Sequence, residues 1–409
     1  MHFFNTLAGL SLLVSAALAV PYKVSTRQAP GAQNVVYWGQ NGGGTIENND
    51  LSAYCTSSSG IDIIVLSFLY QFGRGQNIAS GTIGQSCFIT NAGVGQQCDA
   101  LASAIQTCKS NGVKVILSLG GASSSWGLSS QAEAETIGNN LWAAYGNTAG
   151  GSVPRPFGST FVDGFDFDLE SNIGNQYFQY MIAALRSKFA SDPSHTYYIT
   201  GAPQCPIPEP NMGEVISSSK FDYLFVQFYN NNNYTHPCST GFNGNAPFNY
   251  NEWVSFIAGT PSSGAKIFIG VPAAPLAANG SPSGELYYIT PDQLASLVNQ
   301  YKSNSAFGGI MMWSAGFSDT NVNNGCNYAQ EAHAILSTGA PCGEGGGGST
   351  TTTSPPTSTP TSGPTSTSTT TGPTSTATGT VGQWGQVSTF STLSSSRLSK
   401  SRRSSFGTI

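Results

Sequence analysis

Eight short runs of apolar, β-branched or aromatic residues recur along the chain. They lie at 34–40, 61–70, 113–119, 162–170, 197–202, 223–229, 267–272 and 308–313. Between most of them lies a helical pattern, clearest at Asp99–Asn111, Gln131–Tyr145, Asn175–Ala190 and Thr290–Asn304. Thr290 and Pro291 suit the opening of the last of these, as N-cap and first-turn proline. Strand–helix alternation eight times over in about 300 residues predicts a (β/α)8 TIM barrel of the α/β class, set over residues 34–342. A doubly wound open sheet is the structural competitor. In such a barrel the working groups gather at the carboxyl ends of the strands. That rule brings Tyr37 and Gln40, Gly120 and Gly121, Glu170, Gln227, Tyr229 and Trp313 to one face.

The fourth run lies within Phe161-Val162-Asp163-Gly164-Phe165-Asp166-Phe167-Asp168-Leu169-Glu170. Side chains alternate along a strand, so Phe165, Phe167 and Leu169 share one face. Gly164, Asp166, Asp168 and Glu170 share the other, with roughly 7 Å between successive carboxylates. For a single Asp-x-Asp, an amphipathic strand facing water is the simpler reading. Here four acids fall within eight positions of a chain that is only 9% charged, a concentration that solubility does not require. Like charges this close repel, so at least one carboxyl should keep its proton near neutrality. A protonated carboxyl beside an ionised one is what acid catalysis of glycoside cleavage needs.

This segment resembles the Asp-Gly-x-Asp-x-Asp-x-Glu signature of glycoside hydrolase family 18 at every fixed position. Ser118-Leu119-Gly120-Gly121 looks like that family's Ser-x-Gly-Gly motif. Tyr37-Trp38-Gly39-Gln40-Asn41, Ala202-Pro203-Gln204-Cys205-Pro206, Val226-Gln227-Phe228-Tyr229-Asn230-Asn231 and Met312-Trp313-Ser314 resemble the plant-type, hevamine-like (class III) chitinases. The likeness runs from about Asn34 to about Ser337, its motifs in order and spacing.

The resemblance implies a secreted endochitinase that cuts β-1,4 links between N-acetylglucosamine units in chitin and chito-oligosaccharides, with retention and with no cofactor. Glu170 would be the general acid, and the substrate's own acetamide the nucleophile. Such substrate-assisted enzymes are exceptions to the two-carboxylate scheme, so no second nucleophilic carboxylate is required. Asp168 would orient the acetamido N–H and offset the charge that develops there. Asp166 lies deeper and is expected to share a proton with Asp168, the alternative being a buried structural acid. Asp163 points to the opposite face and reads as structural. Tyr229 would donate its hydroxyl to the acetamido oxygen, and Trp313 would form the floor under the sugar. Gln227 and Gly121 are counted among the sugar contacts. Tyr37 and Phe68 are read as contact or packing. Non-proline cis peptides are implied at Ser67–Phe68 and Trp313–Ser314. Two other readings share the acidic strand or the barrel: an endo-β-N-acetylglucosaminidase acting on N-glycans, and a non-catalytic chitin-binding lectin or inhibitor. Some relatives insert a small domain after the seventh strand. Residues 274–290 are too few to hold one, which implies an open groove.

Residues 1–19 read as a secretory signal. Leu7 to Ala19 is apolar and ends in Ala17-Leu18-Ala19, an A-x-A cleavage site, though no Lys or Arg precedes it. The run is too short to span a bilayer, so no membrane is expected as a partner. A lead segment, 20–33, follows. The net charge of −5 argues against nucleic acid. Eight Cys in an exported chain imply disulfides. The resemblance suggests Cys55–Cys108, Cys87–Cys98 and Cys205–Cys238, which leaves Cys326 and Cys342 as the fourth pair. No metal is expected, since the His residues are scattered and no Cys-x-x-Cys occurs. Asn233-Tyr234-Thr235 and Asn279-Gly280-Ser281 are glycosylation sequons, the second weakened by Pro282. A monomer is expected.

Residues 343–380 are rich in Gly, Ser, Thr and Pro, and read as an extended linker. Val381-Gly382-Gln383-Trp384-Gly385-Gln386 resembles the opening of a fungal-type family 1 carbohydrate-binding module. The Cys residues that should follow are replaced by a basic, Ser-rich end with Arg397, Lys400, Arg402 and Arg403. A module so small needs its disulfides. Residues 381–409 are therefore expected to be disordered and to bind polysaccharide poorly. An unspliced intron and a divergent tail are both open explanations.

Overall fold

A computed structural model describes residues 31–40, 47–123, 125–148 and 150–343. Residues 1–30 and 344–409, on which the expected signal, most of the expected lead segment, the expected linker and the tail fall, lie outside the described residues.

Eight parallel strands form the barrel: Gln33–Trp38, Ile63–Gly73, Lys114–Gly121, Gly164–Leu169, Tyr198–Gly201, Tyr223–Gln227, Lys266–Pro272 and Phe307–Trp313. The first strand pairs with both the eighth and the second, which closes the sheet. Each strand coincides with one of the eight apolar runs. The helices Asp99–Ser110, Gln131–Tyr145, Asn175–Ala190 and Pro291–Tyr301 stand where the periodicity predicts them. The last opens with a capping box, in which Thr290 and Gln293 satisfy each other's backbone N–H groups. Four further helices, Gly213–Ser218, Tyr250–Ala258, Ala315–Thr320 and Tyr328–Thr338, complete the outer layer.

The core has two parts. Inside the barrel, Val35, Tyr37, Val65, Ile116, Phe225, Phe268 and Met311 fill the lumen. Outside, strand faces meet helices. Phe167 sets its ring edge against Phe178 at 6.1 Å, and Phe165 stacks on Phe189 at 6.5 Å. The apolar face of the acidic strand is thus turned to the helices, which leaves the acidic face to the lumen.

Beyond the second barrel strand the sheet continues through three antiparallel strands, Gln76–Ile83, Cys87–Ile89 and Gly95–Gln96. Residues 273–290 hold only a short 3-10 helix, Pro282–Tyr287, and no inserted domain. The four expected disulfides are formed, with Cα separations of 4.9 Å for Cys55–Cys108, 4.4 Å for Cys87–Cys98, 5.9 Å for Cys205–Cys238 and 6.4 Å for Cys326–Cys342. Asn233 and Asn279 are both exposed. Among the described residues no helix is long and apolar enough to cross a membrane.

Candidate active site

Strand register builds the site from below. Ser118 pairs with Asp166, and Asp166 with Thr200, so three neighbouring strands present these side chains in one row. Asp166 is fully buried. Its Oδ2 accepts hydroxyls from Ser118 at 2.7 Å and Tyr37 at 2.8 Å, and its Oδ1 accepts that of Thr200 at 2.6 Å. Burial pushes the Asp166 carboxyl up, while these three donors pull it down.

Two residues further on, Asp168 has no such set of donors. Burial, then the charges of Glu170 and Asp166, push its carboxyl well above the usual carboxylate range. Glu170 is partly buried and its pKa is also raised, by burial, against a lowering contribution from the Gln227 amide. Gln227 Nε2 lies 3.1 Å from Asp168 Oδ1, 3.2 Å from Glu170 Oε1 and 3.0 Å from the Ala202 carbonyl. With two hydrogens for three acceptors, this one amide ties the two carboxyls together. Asp163 faces away. It accepts the Val115 N–H at 2.8 Å and pairs with Lys109 at 2.9 Å, both at the amino end of the strands.

The aromatic residues form the floor. Trp313 is partly exposed and stacks on Phe68 at 5.9 Å and 19°, with Tyr37 at 5.7 Å. Tyr229 packs with Trp313, Ala278 and Tyr287. Burial, then the charges of Asp168 and Glu170, hold the Tyr229 hydroxyl well above its ordinary range, so it stays a donor. Gly121 has φ +82°, and a Cβ there would come within 3.1 Å of the Phe68 ring. Its lack of a side chain makes room for Phe68. Non-proline cis peptides stand at Ser67–Phe68 and Trp313–Ser314, and Ile207–Pro208 is also cis.

Glu170, Asp168, Asp166, Tyr229, Gln227, Trp313, Tyr37, Phe68 and Gly121 are thus brought to one end of the barrel. One contributor, Thr200, and one role, that of Gln227, escape a reading of the sequence. Thr200 closes the ring of donors around Asp166, and only its place in the fifth run hints at this. Gln227 bridges two carboxyls, a role that parity along its strand permits but does not reveal.

The family model "Glycosyl hydrolases family 18" matches residues 33–287. An endochitinase 2 of Metarhizium robertsii is 67% identical over 390 residues, which is 94% of this chain and 93% of that protein. An endochitinase of Saccharomyces cerevisiae is 37% identical over 329 residues, covering 80% of this chain and 54% of its own length. Among solved structures, a chitinase from Ipomoea carnea is similar with a TM-score of 0.58 and 31% identity, over 74% of this chain and 99% of that one. A xylanase and α-amylase inhibitor protein from Scadoxus multiflorus has the same TM-score at 30% identity, over 75% of this chain and 99% of its own. The matched barrel, together with a relative 67% identical over 93% of its own length, means that the chain belongs to glycosyl hydrolase family 18.

Proposed function

We infer that the protein is an endochitinase, hydrolysing β-1,4 links between N-acetylglucosamine units in chitin, with Glu170 as the acid that breaks the bond. The observation that carries the mechanism is the Asp168–Gln227–Glu170 group, two carboxyls with raised pKa values on one amide. Glu170 gives its proton to the glycosidic oxygen as the bond to the anomeric carbon breaks. The acetamido oxygen of the same sugar attacks that carbon from the other side, forming a cyclic oxazolinium. Asp168 receives the acetamido N–H. The growing positive charge draws Asp168 toward its ionised form, the shared proton passing to Asp166. Water then opens the ring, giving its proton to Glu170, and the configuration is retained. Tyr229 fixes the acetamide for attack, and Trp313 holds the apolar face of the sugar.

The Scadoxus inhibitor protein is as similar in fold as the Ipomoea chitinase, so the barrel does not decide between enzyme and inhibitor. The intact acids favour the enzyme. The cleft is complete within one chain, which supports action as a monomer. Four disulfides suit a secreted protein. Product analysis on N-acetylglucosamine hexamer with anomer resolution tests the reading. Internal cuts yielding β-anomers are expected. Fresh α-anomers, or an uncut hexamer, would overturn it.

A further inference from the structure

The antiparallel extension after the second barrel strand takes no part in the chemistry, yet it is built with care. Thr82 pairs with Phe88, and Phe88 with Gln96, so the three share one face. Ile83, Cys87 and Ile89 point to the other face and are buried. Val94, two residues before Gln96, falls on the outward side with Phe88. Phe88 is 44% exposed and Val94 48% exposed. Residues 76–97 contain no Asp, Glu, Lys or Arg, and their polar groups are amides and hydroxyls.

The outward face is continuous with the cleft. The Tyr70 hydroxyl lies 3.4 Å from Thr82 Oγ1, and Tyr70 packs against the cluster that holds Phe68 and Tyr37. Phe68 in turn stacks on Trp313. An uncharged, aromatic strip therefore leads from the floor of the site across two inter-strand steps, roughly 10 Å, to Phe88. The strip is stiff. Cys87–Cys98 staples it. Gly95 lies so close to Pro156 that a Cβ would sit 2.9 Å from the proline Cα.

We propose that this outward face, centred on Phe88 and Val94, is a second binding site for the polysaccharide, holding a length of chain continuous with the one in the cleft. Sugar rings of chitin offer apolar C–H faces for an aromatic ring, and edges of hydroxyls and acetamides for amides. The polymer is neutral, as is the face. Exposed apolar groups on a rigid surface bind at a low ordering cost. The site rests on the chitinase reading.

The test uses the full chain with Phe88→Ser and Val94→Ser together, and Phe88→Trp alone. Retention on insoluble chitin and turnover of it should each fall about fivefold in the double variant, and hydrolysis of N-acetylglucosamine trimer should stay within about twofold. Phe88→Trp should retain binding. Unchanged retention on chitin, an equal loss on trimer and polymer, or conversion of a dimer to a monomer on sedimentation would overturn the proposal. A parent chain that binds chitin through Phe88 but cleaves neither substrate would support the site and sink the catalytic reading.

Discussion

Tyr37, in the first barrel strand, donates its hydroxyl to Asp166 Oδ2 in the fourth at 2.8 Å, across 129 residues of sequence. Burial, then the charges of Asp166 and Asp168, hold that hydroxyl well above its ordinary range. It therefore remains a donor at any pH the enzyme meets. Tyr37 anchors the innermost acid, and its ring supports Trp313.

Replacing Tyr37 with Phe keeps the ring and removes the donor. A hydrogen bond to a charged group contributes about 1.5–3 kcal/mol, so kcat should fall roughly tenfold or more as Asp166 loses its hold. KM should change little, because the ring remains. Steady-state kinetics on the hexamer checks this, and an unaltered kcat would mean that Ser118 and Thr200 suffice.

Glu170→Gln removes the transferable proton while preserving shape and an acceptor for Gln227. Turnover should drop by roughly a hundred- to ten-thousand-fold, the range of a lost general acid. Oligosaccharide affinity, measured calorimetrically, should stay close to that of the parent. A variant retaining full turnover would move the acid elsewhere.

Stability should fall as pH rises from about 5 to 8. Burial pushes Glu209 up to about 7 and Glu47 up to about 8, from an ordinary value of 4.5. Between these values the folded chain holds protons that the unfolded chain has released. The stabilisation is complete below about 4.5 and is lost as pH passes through 7 and then 8. Asp166, Asp168 and Glu170 are raised too and act in the same sense. Calorimetric Tm should decline across this window. Glu209→Gln should flatten the lower part of the decline, and a Tm that climbed instead would contradict the assignment.

The Cys55–Cys108 bridge spans 53 residues and Cys87–Cys98 only 11. Chain-entropy arguments give about 4 kcal/mol for the longer loop and about 3 kcal/mol for the shorter. Cys55→Ser with Cys108→Ser should therefore lower Tm more than the corresponding change at Cys87 and Cys98. The reverse order would point to native-state contacts rather than loop closure.

The barrel is legible because each of its strands is an apolar run long enough to stand out, and the acids are legible because they share one strand. Features that depend on register are not. Ser118 and Thr200 flank Asp166 only because their strands pair in step, and nothing local announces it. Gln227 has the right parity for the site, but its bond to two carboxyls is a fact of distance. The antiparallel extension escapes notice because its outer strands, Cys87–Ile89 and Gly95–Gln96, are too short for a two-residue period to show. Gly213–Ser218 and Ala315–Thr320 are likewise shorter than two helical turns. The disulfide pairs needed the family likeness, since eight Cys allow about 105 pairings.

The acids of the fourth strand are held by hydroxyls and by one amide. The ion pairs Lys109–Asp163 and Arg186–Asp222 lie toward the amino ends of the barrel strands. These pairs are only partly exposed, so ions in the medium screen them modestly, yet more than they do the buried dipoles of the site. Brine would thus loosen the base of the molecule before it disturbed the chemistry, and an uncharged polymer offers salt no attraction to screen.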